Sequence, residues 1–223
     1  MPGRAATPEA IFFDVDGVLI DSLQVKGEAF ALAFADYPSA RDSIIEFHLA
    51  NGGVNRIDKI SRIFANINGR EATEAELFER VRAFSEAVVE QVVAAPEISG
   101  ANGALAHWSA LAHLHAVSAT PADELELILQ RRRIAQYFTS INGWPPKKTE
   151  LLPFLVRLFG YTPERCITVG DSAEDEAAAS AAGTLFVRVV TTTENRMPGT
   201  FPVIDNLQGL THAVGLLMAS ASQ

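Results

Sequence analysis

In the segment IFFDVDGVLIDS, residues 11 to 22, two aspartates two positions apart follow an apolar run. Side chains alternate across a strand, so Asp14 and Asp16 face the same way and repel each other. Such crowding is costly unless a cation, a proton or a reaction compensates it. Taken alone, the pattern also suits a calcium loop or a plain turn. Three later stretches narrow it. HAVSAT ends an apolar run with Ser118, PPKKTELL sets lysines just before a helical pattern, and VGDSAED ends another apolar run with Asp171 and Asp175. A hydroxyl, an ammonium and further carboxylates at strand ends are what phosphoryl transfer through an aspartyl phosphate needs.

These groups need elements to bring them together. Apolar runs at 10–15, 114–119 and 166–170 read as strands, with 184–190 and 201–205 as weaker ones. Helical patterns cover roughly 101–112, 121–133, 148–160, 174–182 and 207–219. Strands alternating with helices predict an α/β fold, a Rossmann-like parallel sheet with helices on both faces. Ligands in such sheets bind beyond the carboxyl ends of the strands, where Asp14, Asp16, Ser118 and Asp171 fall.

Between 23 and 95 there is no convincing strand, and apolar residues recur every three or four positions, as in ATEAELFERVRAFSEAVVEQVV. Thr73 and Glu76 form a capping-box pattern at the start of that helix. The expected organisation is a core of residues 1–22 and 96–223 with an all-helical cap of residues 23–95 inserted beside the carboxylates, where it would act as a lid.

With 223 residues, 48% of them hydrophobic and 20% charged, the chain has ample material for a core. A net charge of −9 argues against nonspecific nucleic-acid binding, which rests on basic surface. Cys166 is the single cysteine, so no intrachain disulfide forms, and its apolar setting predicts a buried thiol. No window approaches the roughly 20 apolar residues that span a bilayer, and the N-terminus lacks a secretory pattern, so a cytoplasmic location without membrane partners is expected.

The four motifs, in this order over about residues 10 to 190, resemble the haloacid dehalogenase superfamily, in particular its phosphatase-like members with a helical cap after the first motif. NGGVNRIDK, residues 51 to 59, resembles a cap loop of such phosphatases and of β-phosphoglucomutase. The resemblance implies that Asp14 attacks phosphorus, while Asp16 protonates the leaving alcohol and then activates water, holding its proton near neutral pH. It implies Mg²⁺ held by Asp14, the backbone carbonyl of Asp16 and Asp171, with Asp175 orienting a metal-bound water or the lysine. Ser118 and Lys148 would hold the phosphate, with Gly17 and Ala119 beside them, and Lys147 is the alternative to Lys148. Arg56, and less directly Lys59, would reach remote groups of the substrate.

The implied activity is Mg²⁺-dependent hydrolysis of a small phosphorylated metabolite, a sugar phosphate or a phosphoglycolate-like acid. A phosphosugar mutase and a non-catalytic binding protein are the alternatives. Lys26 stands where the mutase relatives carry a histidine, which disfavours the mutase. Dehalogenation has no use for Asp16, and phosphonate cleavage would need Lys26 or Lys59 as a Schiff-base lysine. Glu174 and Glu176 are expected to face solvent in a first helical turn, and Arg131–Arg133 to form a solvated helix end. The five histidines show no ligand clustering, Trp108 and Phe84 read as packing, and Trp144 as a residue of the pocket rim.

Overall fold

The computed structural model describes residues 7–190 and 200–220. Its centre is β1 (Ala10–Phe13), four residues with both faces buried, as the apolar run AIFF requires of an inner parallel strand. It lies between β2 (His113–Pro121) and β4 (Cys166–Gly170), with Phe13 level with Ala116 on one side and Val169 on the other. Adding β3 (Ser140–Trp144), β5 (Leu185–Val189) and β6 (Val203–Ile204) gives a six-stranded parallel sheet in the order β3-β2-β1-β4-β5-β6. Helices α5 (Ala101–Ser109), α6 (Ala122–Arg131), α7 (Lys148–Phe159), α8 (Ala173–Ala182) and α9 (Leu210–Ser220) flank it, as the alternating pattern predicts. Cys166 is fully buried, as expected.

Strand β3 is absent from the sequence reading. Its residues, SINGW, are mostly half-buried on the sheet edge and include only isolated apolar positions. Asn142 is accommodated because its Nδ2 donates to the Ala116 carbonyl at 3.0 Å, and a Cβ on Gly143 would lie 2.5 Å from Ala122 Cα. This strand is selected by close backbone approach, not by hydrophobic patterning.

Four helices intervene between β1 and α5: α1 (Leu23–Ala33), α2 (Arg41–Ala50), α3 (Arg56–Asn68) and α4 (Glu74–Ala94). The capping box that opens α4 forms, Glu76 N–H donating to Thr73 Oγ1 and the Glu76 carboxylate accepting from Thr73 N–H. Phe30, Phe34, Ile60, Ile63, Phe64 and Phe84 bury their side chains among these helices, each contributing roughly 1.5–3 kcal/mol on burial. The chain enters and leaves the insertion by adjacent crossings. Asp21 N–H donates to Pro96 O at 2.9 Å, Ile98 N–H to Leu19 O at 3.0 Å, and Ile20 bridges Glu97 in antiparallel fashion.

Of the basic triplet, Arg131 and Arg133 are exposed, as expected of a solvated helix end, and Arg132 is half-buried. Arg132 Nη1 donates to the carbonyls of Val92, Val93 and Ala95 at the end of α4, and Arg131 pairs with Glu90 of the same helix. Val92 O also accepts from Ala95 N–H at 3.3 Å, and the partial negative charge of carbonyls at a helix end suits a guanidinium. No helix among the described residues is long and apolar enough to cross a membrane.

Candidate active site

The carboxyl ends of β1 and β4 lie side by side, fixed by the Asp14 N–H donating to Val169 O at 2.9 Å. Beyond β1 the chain doubles back in a tight loop, Ile20 N–H reaching Val15 O at 3.0 Å and Gly17 N–H reaching Ile20 O at 2.8 Å. Gly17 has a φ of 82°, and a Cβ there would stand 2.3 Å from Asp171 Oδ2. Glycine is therefore required both for the turn and for the approach of Asp171.

Asp14, Asp171 and Asp175 each offer a carboxylate oxygen within 4.8 Å of the others. Lys148, the first residue of α7, places its buried Nζ 2.8 Å from Asp14 Oδ1 and 2.7 Å from Asp175 Oδ1. Lys147 precedes that helix as its exposed cap, so Lys148 is the lysine that reaches the carboxylates. Asp175 is oriented by the capping box of α8, in which its Oδ2 accepts from Ser172 N–H at 3.1 Å and Ser172 Oγ at 2.5 Å. Its other oxygen is left for Lys148.

Burial pushes Asp14 up to about 7, with Lys148 opposing and Asp175 and Asp16 adding to the rise. Burial, then the charges of Asp14 and Asp175, hold Asp171 well above the usual carboxylate range. Burial disfavours the Lys148 ammonium, but Asp14 and Asp175 outweigh it and keep the lysine charged. Three carboxylates thus share one ammonium, and Asp171 has no ion-pair partner among the described residues. A divalent cation with a preference for hard oxygen ligands, such as Mg²⁺, fits this donor set and its charge deficit.

Asp16 is held apart from this cluster. Its Oδ1 accepts from Ser22 Oγ at 2.6 Å, and its Oδ2 from Lys26 Nζ at 2.5 Å and Thr120 Oγ1 at 3.2 Å. Burial works to raise Asp16, but Lys26 and these hydrogen bonds overcome it and hold the carboxyl down to about 2. The expectation that Asp16 retains a proton near neutral pH is therefore corrected: Lys26, of the helical insertion, keeps it ionised. Ser118 is buried near the end of β2, its Oγ accepting from Thr120 N–H at 3.1 Å.

These residues line a pocket of about 530 Å³ of empty volume, counting its open mouth, between the sheet and the insertion. Ala119 lies on its wall, and the insertion contributes Lys26, Arg56, Lys59, His48, Gly53 and Phe84 among others. Arg56 is buried, and its guanidinium is bound to Glu124 of α6 and, at 2.5 Å, to Ser85 of α4. It lines the pocket with its charge already neutralised. Lys59 is buried with its Nζ 3.1 Å from His48 Nδ1.

Glu174 is half-buried rather than solvent-facing, and its Oε2 has no hydrogen-bond partner among the described residues. The cause is the insertion loop: a Cβ on Gly53 would lie 2.8 Å from Glu174 Cβ. Glu176 is exposed and pairs with Arg188. Trp144, at the end of β3, rims a smaller hollow beside the pocket together with Lys147 and Glu174.

A family model described as haloacid dehalogenase-like hydrolase matches residues 8–183. The chain belongs to the haloacid dehalogenase-like hydrolases. A search of curated proteins finds no match. Among solved structures, a predicted phosphoglycolate phosphatase of Haemophilus somnus superposes with a TM-score of 0.78 at 21% identity, over 94% of this chain and 99% of that one. CbbY of Rhodobacter sphaeroides, in complex with phosphate, gives 0.71 at 22% identity, over 92% and 96%. A haloacid dehalogenase-like hydrolase of Bacteroides fragilis gives 0.74 at 19% identity, over 92% and 100%. At these identities the likeness is one of fold.

Within this haloacid dehalogenase-like chain, the fold brings together Asp14, Asp16, Arg56, Ser118, Ala119, Lys148 and Asp171 on one pocket, with Asp175 behind Lys148 and Gly17 against Asp171 rather than on the pocket wall. Sequence reasoning did not assign contacts to Ser22, Lys26, Thr120, Glu124 or His48. Thr120 lies two residues past Ser118 and Ser22 closes the first motif, so both were within reach of the motif itself. The other three contacts depend on how the insertion folds back.

Proposed function

We propose that the protein is a Mg²⁺-dependent phosphatase acting on a small phosphorylated metabolite through an aspartyl phosphate on Asp14. The observation that carries this reading is Lys148, buried between Asp14 and Asp175, while Asp171 stands beside them with no ion-pair partner among the described residues. Asp14, Asp171 and the Asp16 carbonyl would hold the cation, which when bound neutralises the carboxylates and the phosphate oxygens. Lys148 and Ser118 hold phosphate oxygens, with Gly17 and Ala119 shaping the contact.

An Asp14 oxygen attacks phosphorus and the ester P–O bond breaks, its electron pair leaving on the alcohol oxygen. That oxygen takes a proton from the Asp16–Lys26 pair, in which the ammonium is the proton source and the carboxylate the conduit. Water then attacks phosphorus, gives its proton back to the same pair, and the P–O bond to Asp14 breaks to release phosphate. General acid–base help of this kind is worth about 10²–10⁴-fold.

Residues 23–95 act as the cap, closing the pocket so that water enters only after the alcohol leaves. Support comes from the seating of Gly53 on Glu174 and from the Arg56–Glu124 pair. CbbY structures hold phosphate in one case and, in a mutant, xylulose-1,5-bisphosphate, so this fold accommodates phosphoesters.

The test is phosphate release from sugar phosphates, 2-phosphoglycolate and nucleotides, with Mg²⁺ and with chelator. Metal-dependent release from one compound, abolished by Asp14→Asn, is the expected result. A folded, Mg²⁺-binding protein that releases phosphate from none of them counts against hydrolysis, and turnover only with a sugar bisphosphate present would indicate a mutase.

A further inference from the structure

Arg56 lines the pocket, but its guanidinium is held from within the protein. Nη1 donates to Glu124 Oε1 at 2.7 Å and to Ser85 Oγ at 2.5 Å, and Nη2 donates to Glu124 Oε2. Phe84 lies against it, with the ring centre 4.8 Å from the guanidinium carbon. The parallel N–H groups that would grip a carboxylate or a phosphate of a substrate are thus already engaged. Glu124 is held at this place by more than Arg56. It lies in the first turn of α6, where the helix dipole favours a carboxylate.

The charges around the pocket point the same way. Lys26, Arg56, Lys59 and Lys148 bring four positive charges to it. Six carboxylates answer them: Asp14, Asp16 and Asp171 on the wall, Asp175 behind Lys148, Glu124 behind Arg56, and Glu174 near Lys59. Burial, then Lys26, works against the Lys59 ammonium, while Asp16, Asp171 and Glu174 favour it. A divalent cation on Asp14 and Asp171 would bring the two signs level, and the transferred phosphate then stands as surplus negative charge. A second anion adds like charge to a closed space whose cations are already matched.

We propose that Glu124 is a specificity-determining residue: it keeps the guanidinium on the pocket wall from the substrate, so that monophosphates of uncharged alcohols are taken and esters carrying a second anion are rejected. This rests on the phosphatase reading of the same pocket. It departs from the role that the family resemblance implies for Arg56, because an anion reaching that guanidinium must first displace a carboxylate of the protein itself. A specificity of this kind is set by what the wrong substrate lacks.

The test uses two pairs of probes, each differing by one anionic group: glycerol 3-phosphate with 3-phosphoglycerate, and glucose 6-phosphate with glucose 1,6-bisphosphate. The pair bound more tightly carries the test. The unaltered protein should favour the member with the uncharged remainder in kcat/KM. In Glu124→Ala, which frees Arg56, the ratio should move toward the more anionic member by about 10–100-fold, the worth of charge-assisted hydrogen bonds. In Arg56→Met/Glu124→Met, with no guanidinium to free, the ratio should return toward that of the unaltered protein. An unaltered protein that favours the more anionic member overturns the proposal. So does a Glu124→Ala variant that weakens both members equally, which would make the pair a clamp alone. Glu124→Gln, closer in shape, repeats the measurement should the Ala variant fail to fold, with a smaller shift in the same direction.

The same probes are titrated calorimetrically into Mg²⁺-loaded Asp14→Asn, with and without Glu124→Ala, so that no turnover is needed. A shift of preference on removing Glu124 there, without hydrolysis by the unaltered protein, upholds the role of Glu124 and overturns the phosphatase. Hydrolysis with a ratio that ignores Glu124 overturns this proposal and leaves the phosphatase standing. Binding of none of the probes overturns the proposal.

Discussion

Arg56 and Glu124 form a two-pronged ion pair, Nη1 to Oε1 at 2.7 Å, that fastens the helical insertion to the first turn of α6. Neither residue belongs to the carboxylate cluster, yet both are buried or nearly so, and Ser85 fixes the guanidinium from a second helix of the insertion. Removing one partner strands the other in a poorly solvated place. Glu124→Gln is expected to cost about 2–4 kcal/mol in urea unfolding and to raise KM more than it lowers kcat. The double variant Arg56→Met/Glu124→Met should recover much of the stability without recovering KM.

Lys148 carries the opposite kind of burden. Replacing it with methionine leaves Asp14, Asp171 and Asp175 crowded within 4.8 Å with no cation. Turnover in Lys148→Met should fall by about 10³-fold or more. Stability should drop by about 3–5 kcal/mol without metal, and a thermal melt should regain part of that loss on adding Mg²⁺. A variant whose melting temperature ignores Mg²⁺ would argue that the ion binds elsewhere.

Gly17→Ala tests the approach of Asp171. The added methyl would meet Asp171 Oδ2 at 2.3 Å on a backbone with a φ of 82°, a strain of about 1–3 kcal/mol. Because the clash falls on a carboxylate of the cluster, calorimetric Mg²⁺ titration should show at least about a tenfold loss of affinity in a protein that still folds.

The buried pair His48 and Lys59 sets two pH windows. Burial, then the charges of Lys59 and Lys26, pull His48 from 6.5 to about 3, so its neutral form is favoured in the folded chain. Its contribution is fully present above pH 6.5 and is lost as pH falls toward 3, by up to about 1.4 kcal/mol per pH unit. Burial, then Lys26, pulls Lys59 from 10.5 to about 8, so stability rises as pH climbs from 8 to 10.5. Lys59→Met should flatten the alkaline rise and stabilise the protein at pH 7 by about 2–3 kcal/mol. Urea midpoints at about pH 5, 7 and 9.5 check both slopes.

The central strands and the cluster were legible for a common reason. Strands β1 and β4 are buried on both faces and so are continuously apolar, which makes the aspartates at their ends conspicuous. Lys148 was preferred to Lys147 because it stands directly before the helical pattern TELL, at the spacing the family resemblance implies. Strand β3 was not, because Gly143 and Asn142 answer to neighbouring backbone and leave no period of two. Nor were Lys26 on Asp16, Glu124 on Arg56 or His48 on Lys59, which join residues through the folded insertion. In sequence, Glu124 is an ordinary acid in a first helical turn and His48 an ordinary helical residue.

The two crossings between sheet and insertion are laced together by Asp21 N–H on Pro96 O, Ile98 N–H on Leu19 O and the Ile20–Glu97 bridge. A single connecting strand would let the attached helices swivel about it. A paired ribbon resists swivelling and sliding, because either would shear hydrogen bonds, and leaves bending across its width as the soft direction. A mount of this kind is a door on two knuckles: it would confine any movement of the insertion to one axis and would bring Lys26 back to Asp16 in the same register.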